Sequence, residues 1–430
     1  MKHHFAIWVC LLICLPAWET AGQTNTVDVL SYAVRLEPNF QKKSISGEET
    51  IVFLTGPAAR EAAFDCGGLT VNDVRGQSVE YFRQENGKLL VVFDSVSLIK
   101  RQIQLTYTGT PERGVTFLPG SSALYTVYFT NEWMVCNFNV SDRAAIRMDL
   151  VIPEDLDCVG VGMPVGKKEV DGHKTMHSWA QEIPAPAYTF GFAAGAFKSA
   201  ADDRSGVALN FYSDSYSPGE LDSIFKPTAD MLAFFEEKSG MPYFQTQYAQ
   251  ILMGNHYQEM TGFAVLKGSY GKLVLSDSTE TNLIAHELAH QWWGNMITCA
   301  DLGHFWLNEG FATFMSAAYN EHRFGREKYL ENINAYREVY EKVKAKGADK
   351  PLVFDGWANP SQDDRNLVYF KGAYVLHVLR ETLGEEDFWK GIRAYSRQYY
   401  GKPVTTRDFQ QAMERATGRD LQEFFAKWID

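Results

Sequence analysis

The chain has 430 residues, 45% of them hydrophobic and 14% aromatic, enough apolar material for two or three packed domains and too much for a disordered chain. Its formal net charge of -12 argues against nucleic acid or an anionic membrane as the main partner, because both recruit basic patches.

Lys2, His3 and His4 open the chain, and the apolar run "FAIWVCLLICLPA" (Phe5–Ala17) follows. The run is too short to span a bilayer and polar residues come directly after it. It predicts a signal peptide over residues 1–22, cleaved near Ala21 or Gly22, and so a protein exported to the periplasm or beyond with no integral span left after cleavage. Residues 23–213 read as β structure. "VDVLSYAVRLEP", "ETIVFLTG", "KLLVVFD" and "RQIQLTYTG" are rich in strand formers and several alternate in polarity. Asn86-Gly87 and Asp171-Gly172 mark tight hairpins between such runs. The pattern predicts one antiparallel β domain.

After "VALNFYS" (Val207–Ser213) the periodicity becomes helical, and residues 214–430 are expected to form a second domain. "YAQILMG" and "GKLVLS" interrupt it as short strands. From Thr281 on, almost everything reads as helix, beginning with "TNLIAHELAHQWWGNMI". The four cysteines after the leader, Cys66, Cys136, Cys158 and Cys299, lack the paired spacing of a structural zinc site. They are expected as buried free thiols, with a Cys136–Cys158 bridge as the alternative.

"IAHELAHQWWGN" (Ile284–Asn295) carries the chemistry. Residues four apart share a helix face, so His286 and His290 can turn their imidazoles to one ion. Glu287 lies about 100° further round, placed to serve a water beside that ion without being a ligand. This pattern alone leaves an ordinary amphipathic helix as the alternative. A catalytic zinc needs a third protein ligand. "FWLNEGFATF" supplies Glu309 with eighteen residues between it and His290, a length that lets a second helix fold back on the first.

Together, "HELAHQWWGN" and "WLNEGFATF" closely resemble the paired motifs of the zinc aminopeptidases of the aminopeptidase N and leukotriene A4 hydrolase type, the gluzincins. "HYQEMTGFAVL" (His256–Leu266) resembles that family's exopeptidase segment, with Glu259 and Gly262 on its glutamate and a downstream glycine. "VYFKGAYVL" (Val368–Leu376) resembles the segment of its catalytic tyrosine, which falls on Tyr369. The resemblance runs from roughly Leu221 to Asp430 and is weaker in the β region.

It implies an N-terminal β domain followed by a thermolysin-like, mainly helical zinc-peptidase domain. It implies one Zn2+ per chain on His286, His290 and Glu309, with Glu287 as general base and Tyr369 as oxyanion donor. Glu259 would bind the free N-terminus of a peptide substrate, with Gly262 beside it. The implied reaction is hydrolysis of N-terminal residues. The alternatives are an endopeptidase or related hydrolase using the same site, or a non-catalytic peptide-binding relative. The segment departs from the family at His256-Tyr257-Gln258 and at Met260-Thr261. No second amine-binding acid is in register, Glu132 included, so amine recognition is expected to rest on Glu259. His256 and His304 are not expected as ligands, and Trp306 and Asn308 are expected to pack or to support the site from behind rather than take part in the chemistry. Larger family members continue into a helical domain that roofs the cleft, so the site here is expected to be more open or covered by another subunit.

Overall fold

Alternation shapes the first half of the chain. From Arg101 to Tyr107 every second residue of Lys100–Gly109 is buried while its neighbours face solvent. Val27–Asn39 repeats the pattern, with a register shift between Val29 and Ser31. Such period-two burial fits a strand with one face on a core. The computed structural model describes residues 27–96, 99–357 and 360–429, so the signal peptide expected at 1–22 lies outside the described residues. Among them, no helix is long and apolar enough to cross a membrane.

Seven strands form one sheet in the order Met163–Val170, Lys174–Pro186, Arg143–Pro153, Val27–Asn39, Ser44–Thr55, Lys100–Gly109 and Thr70–Gly76. The expected β domain is thus present, but its pairing is mixed. Val27–Asn39 and Arg143–Pro153 run parallel, with Ser31 opposite Ala145, and the other pairs of this sheet are antiparallel. A parallel pair cannot be closed by a hairpin. Here about a hundred residues intervene, among them the three-stranded sheet of Glu61–Asp65, Lys88–Phe93 and Val79–Glu85. Asn86 and Gly87 both take positive φ, 51° and 71°, in the two-residue turn between Glu85 and Lys88. At the second hairpin the positive pair is Gly172 and His173, one residue later than Asp171-Gly172. All four described cysteines are free thiols.

A five-stranded sheet follows, ordered Lys198–Asp202, Ala208–Ser213, Gln247–Leu252, Phe263–Leu266 and Gln258–Met260. Ser213 pairs with Leu252, so hydrogen bonds tie the residues on either side of position 214 into one sheet. "GKLVLS", expected as a strand, is part of the helix Tyr270–Ser276. Its Tyr270, Gly271 and Val274 are buried while Leu273 and Leu275 are about 40% exposed. That is helical spacing, which a run this short cannot reveal by its apolar content.

The helix expected over Thr281–Ile297 ends much earlier, as Asn282–Ala289 with His290 at its C-cap. The chain then turns into a short strand, Ile297–Cys299, parallel to Lys402–Val404. The central helix of this half, Trp306–Phe324, is buried from Trp306 to Asn320.

Candidate metal centre

The early end of the helix Asn282–Ala289 builds the first part of the site. His290 Nδ1 lies 3.0 Å from the carbonyl oxygen of Trp293. A carbonyl only accepts, so Nδ1 carries the proton and Nε2 keeps a free lone pair for a ligand. Gly294, at φ 136°, lets the turn come this close: a Cβ there would stand 2.7 Å from His290 Nδ1. His286 Nε2 is 3.0 Å from His290 Nε2. Glu309, in the first turn of Trp306–Phe324, brings Oε2 to 3.4 Å from both nitrogens.

These three residues fit zinc. Ligand atoms about 2.0–2.1 Å from one tetrahedral ion would lie about 3.3 Å apart. Two imidazoles and a carboxylate are a zinc donor set, and Glu309 Oε2 is buried without a hydrogen-bond donor among the described residues. The electrostatics agree. Burial works against charging His290, but Glu309, Glu259 and Glu287 overcome it and raise its pKa. Three carboxylates closing on one imidazole make a site that favours a cation.

Glu287 and Glu259 are both buried and gather with His290 within 4.8 Å. Burial raises the pKa of each; His290 opposes the rise, while Glu309 adds to it. Glu259 lies opposite Ala264 in the hairpin of Gln258–Met260 and Phe263–Leu266. Its Oε2 accepts from Gln258 Nε2 at 3.0 Å, while Oε1 is buried with no partner among the described residues. Gly262, at φ 91°, sits at the hairpin turn.

Gln291, which the sequence reading did not single out, fixes that hairpin to the metal helix. Its Nε2 donates to Met260 O at 2.9 Å and its Oε1 accepts from Gly262 N at 3.0 Å. One buried amide thus ties the residue just after His290 to the backbone on either side of Thr261.

Tyr369 stacks on His286, with ring centroids 5.9 Å apart and planes 9° from parallel. It lies in a π-helical turn, Leu367–Lys371, between Gln362–Asn366 and Gly372–Leu383; such turns recur at functional sites. Lys371 is buried and anchors this turn by donating to Asp349 Oδ1 at 2.8 Å and Lys350 O at 2.7 Å. The helices Trp306–Phe324 and Gly372–Leu383 approach closely at Gly310 and Gly372. A Cβ on Gly310 would stand 3.0 Å from Gly372 Cα, and one on Gly372 would stand 3.1 Å from Gly310 Cα.

The remaining residues fall outside the ligand set. His256 Nδ1 bonds Tyr125 OH at 2.6 Å. His304 Nδ1 and Trp306 Nε1 both meet Thr406 Oγ1, each at 2.9 Å. Glu132 pairs with Arg113 at 2.8 Å in the β domain. Asn308 is buried and supports the site from behind: it donates to Tyr188 OH at 3.0 Å and accepts from Cys299 N at 3.0 Å. Tyr188 OH in turn donates to Gly294 O at 2.8 Å, so the β domain reaches the turn that orients His290.

Residues 224–428 match the peptidase family M1 domain. The chain is 29% identical to leucine aminopeptidase 2 of Aspergillus oryzae over 292 residues, 64% of this chain and 45% of that protein. It is 27% identical to aminopeptidase N of Escherichia coli over 278 residues, 61% and 32% of the two chains. The chain spans about a third to two thirds of the length of the curated relatives it matches. Its fold is shared with the M1 zinc metallopeptidase of Deinococcus radiodurans, at TM-score 0.78, 22% identity and 94% coverage of both chains. A mutant of that protein bound to a Tyr-Ser-Ala substrate gives a TM-score of 0.80 at 21% identity, again over 94% of both chains.

Proposed function

We propose, because residues 224–428 match the peptidase family M1 domain, that this protein is a zinc-dependent aminopeptidase, releasing N-terminal residues from peptides with one ion per chain on His286, His290 and Glu309. Bound there, zinc supplies Lewis-acid chemistry, polarising the scissile carbonyl and lowering the pKa of water. Glu287 accepts the proton of the attacking water and delivers it to the leaving amine. Its raised pKa suits a base that must hold a proton between two steps. The Tyr369 hydroxyl donates to the oxygen that gains negative charge, where a fixed donor is most effective.

The observation that carries the exopeptidase reading is Glu259 Oε1, buried and unpartnered beside Glu287 and His290. A buried carboxylate oxygen without a donor is costly, and a substrate ammonium would satisfy it. Bound there, the N-terminus leaves only the first peptide bond within reach of the metal centre. Export to the periplasm or beyond belongs to this proposal and rests on residues 1–22; N-terminal sequencing of the recovered mature protein tests it.

The test of function is a matched pair of peptides, free and N-acetylated, with products followed by mass spectrometry. Free peptides should lose residues stepwise from the N-terminus. Acetylated ones should resist, and a chelator should abolish activity until zinc is restored. Equal cleavage of both, or internal cuts, would replace this reading with an endopeptidase.

A further inference from the structure

We propose that Arg143 is a positioning residue for the metal ligand His290. Its guanidinium, carried by the seven-stranded sheet, pins the carbonyl of Asn295 and so holds the turn that aims the imidazole at the ion. The inference rests on the zinc reading of the site and deepens it, by making zinc affinity depend on a side chain from outside the two ligand-bearing helices.

The first observation is the fork. Arg143 opens the strand Arg143–Pro153. Nε and Nη2 donate to Pro184 O on the neighbouring strand, at 3.2 and 2.8 Å. Nη1 points the other way and donates to Asn295 O at 3.0 Å and to Thr298 Oγ1 at 2.9 Å. All of these acceptors are neutral oxygens. Burial pushes the guanidinium pKa down to about 10, which still leaves it charged at neutral pH. Taking a cation out of water costs free energy that good hydrogen bonds must offset. A planar fork can grip two elements at once, whereas an ammonium has no fixed geometry with which to do so.

The second observation is what the fork holds. Asn295 N donates to His290 O at 2.9 Å and Gly294 N to Ile297 O at 2.8 Å. Tyr188 OH and Thr298 Oγ1 both donate to Gly294 O, each at 2.8 Å. Three successive carbonyls are therefore committed: Trp293 O to His290 Nδ1, Gly294 O to Tyr188 and Thr298, and Asn295 O to Arg143. Peptide planes are rigid, so each fixed carbonyl also fixes the amide that follows it. Glycine is the residue least able to hold such a turn by its own preferences, and the orientation of Trp293 O has to be imposed on Gly294 by its neighbours.

The third observation is the Asn295 side chain. It is buried, and neither Oδ1 nor Nδ2 has a partner among the described residues. Asn295 is thus anchored through its main chain, where Arg143 supplies the contact from the sheet.

The test measures zinc affinity, by competition for Zn2+ with a fluorescent chelator, in wild type, Arg143→Lys and Arg143→Met. The Tm of each protein is read with and without zinc. Arg143→Lys keeps the charge and loses the fork. Affinity should fall about 10- to 100-fold in both variants, the range for residues that orient a metal ligand. The rise in Tm on adding zinc should shrink with it. Thr298→Val should weaken zinc binding similarly, and adding Arg143→Met to it should cost little more, because both changes cut one chain of bonds. If Arg143→Met does not fold, Arg143→Lys decides. A merely structural arginine would lower Tm equally with and without zinc and leave the affinity as in wild type, and that result in Arg143→Lys would overturn the proposal. Wild type that takes up no zinc would instead bring down the metal reading, and this proposal with it.

Discussion

Adding one methyl group at Gly310 tests whether the helix contact positions the site. In Gly310→Ala the new Cβ would stand 3.0 Å from Gly372 Cα, 3.1 Å from Gly372 C and 3.1 Å from Val368 O. All three are backbone atoms, so none can rotate away. Comfortable contact is about 3.5–4.0 Å, and the helices must therefore separate by roughly half an ångström. Overpacking of this kind costs about 1–3 kcal/mol, and alanine returns up to ~1 kcal/mol in helix propensity. The net loss is about 0–2 kcal/mol, or a few degrees in Tm at this chain length. Activity should suffer more. Val368 is the neighbour of Tyr369, so the displacement is delivered to the π-helical turn, and a misplacement approaching 1 Å costs about 100-fold in rate. The expected outcome is a turnover rate down roughly 10- to 100-fold with zinc retained and Tm down by at most several degrees. Steady-state kinetics, metal analysis and thermal denaturation check it, and Gly372→Ala should reproduce it. Wild-type turnover in both variants would refute the claim that this contact sets Tyr369.

Glu287→Gln should keep the metal and lose about 10²–10⁴-fold in turnover, the contribution of a general base; a variant within a few-fold of wild type would remove Glu287 from the reaction. Gln291→Leu strands Gly262 N–H and Met260 O, at about 1–3 kcal/mol for each group left unsatisfied. It should lower Tm and raise KM for free-amine substrates, and unchanged values of both would show that the hairpin is held by other contacts. Asp142 is held near pH 7 rather than 3.8, by burial first and then by Asp28. Its raised folded pKa means stability is lost as pH rises from about 4 to 7 and no penalty remains below that window. At ~1.4 kcal/mol per pH unit the penalty above pH 7 is at most about 4 kcal/mol. Asp142→Asn should therefore raise Tm at pH 8 and have little effect at pH 4, as read by thermal scans; an equal effect at both would refute it.

The clustering of His286, His290 and Glu309 was legible because the three bring their own spacing rule, and a rule that specific survives a wrong helix end. The end itself was not legible. The stop signals in "QWWGN", Gly294 and Asn295, lie several residues past Ala289; the turn there is closed by His290 Nδ1 bonding Trp293 O across Gly294, a contact visible only in three dimensions. "GKLVLS" failed for a different reason, since six residues are too few for either period to declare itself. Gln291 and Tyr188 escaped because a buried polar residue announces itself only through the backbone it bonds. The parallel pairing of Val27–Asn39 was hidden because its partner lies a hundred residues away.

That distant partner sets the tempo of folding. The hairpin between Val27–Asn39 and Ser44–Thr55 closes over Phe40–Lys43, while pairing with Arg143–Pro153 closes a loop about 25 times longer. Loop-closure entropy grows as (3/2)RT ln n, so the longer loop costs roughly 3 kcal/mol more, on the order of a hundredfold in rate where it limits the nucleus. During synthesis one edge of the first hairpin therefore has no neighbour until residue 153 has emerged. A nascent chain with that edge uncovered stays pliable, and it gives chaperones a defined interval in which to engage it.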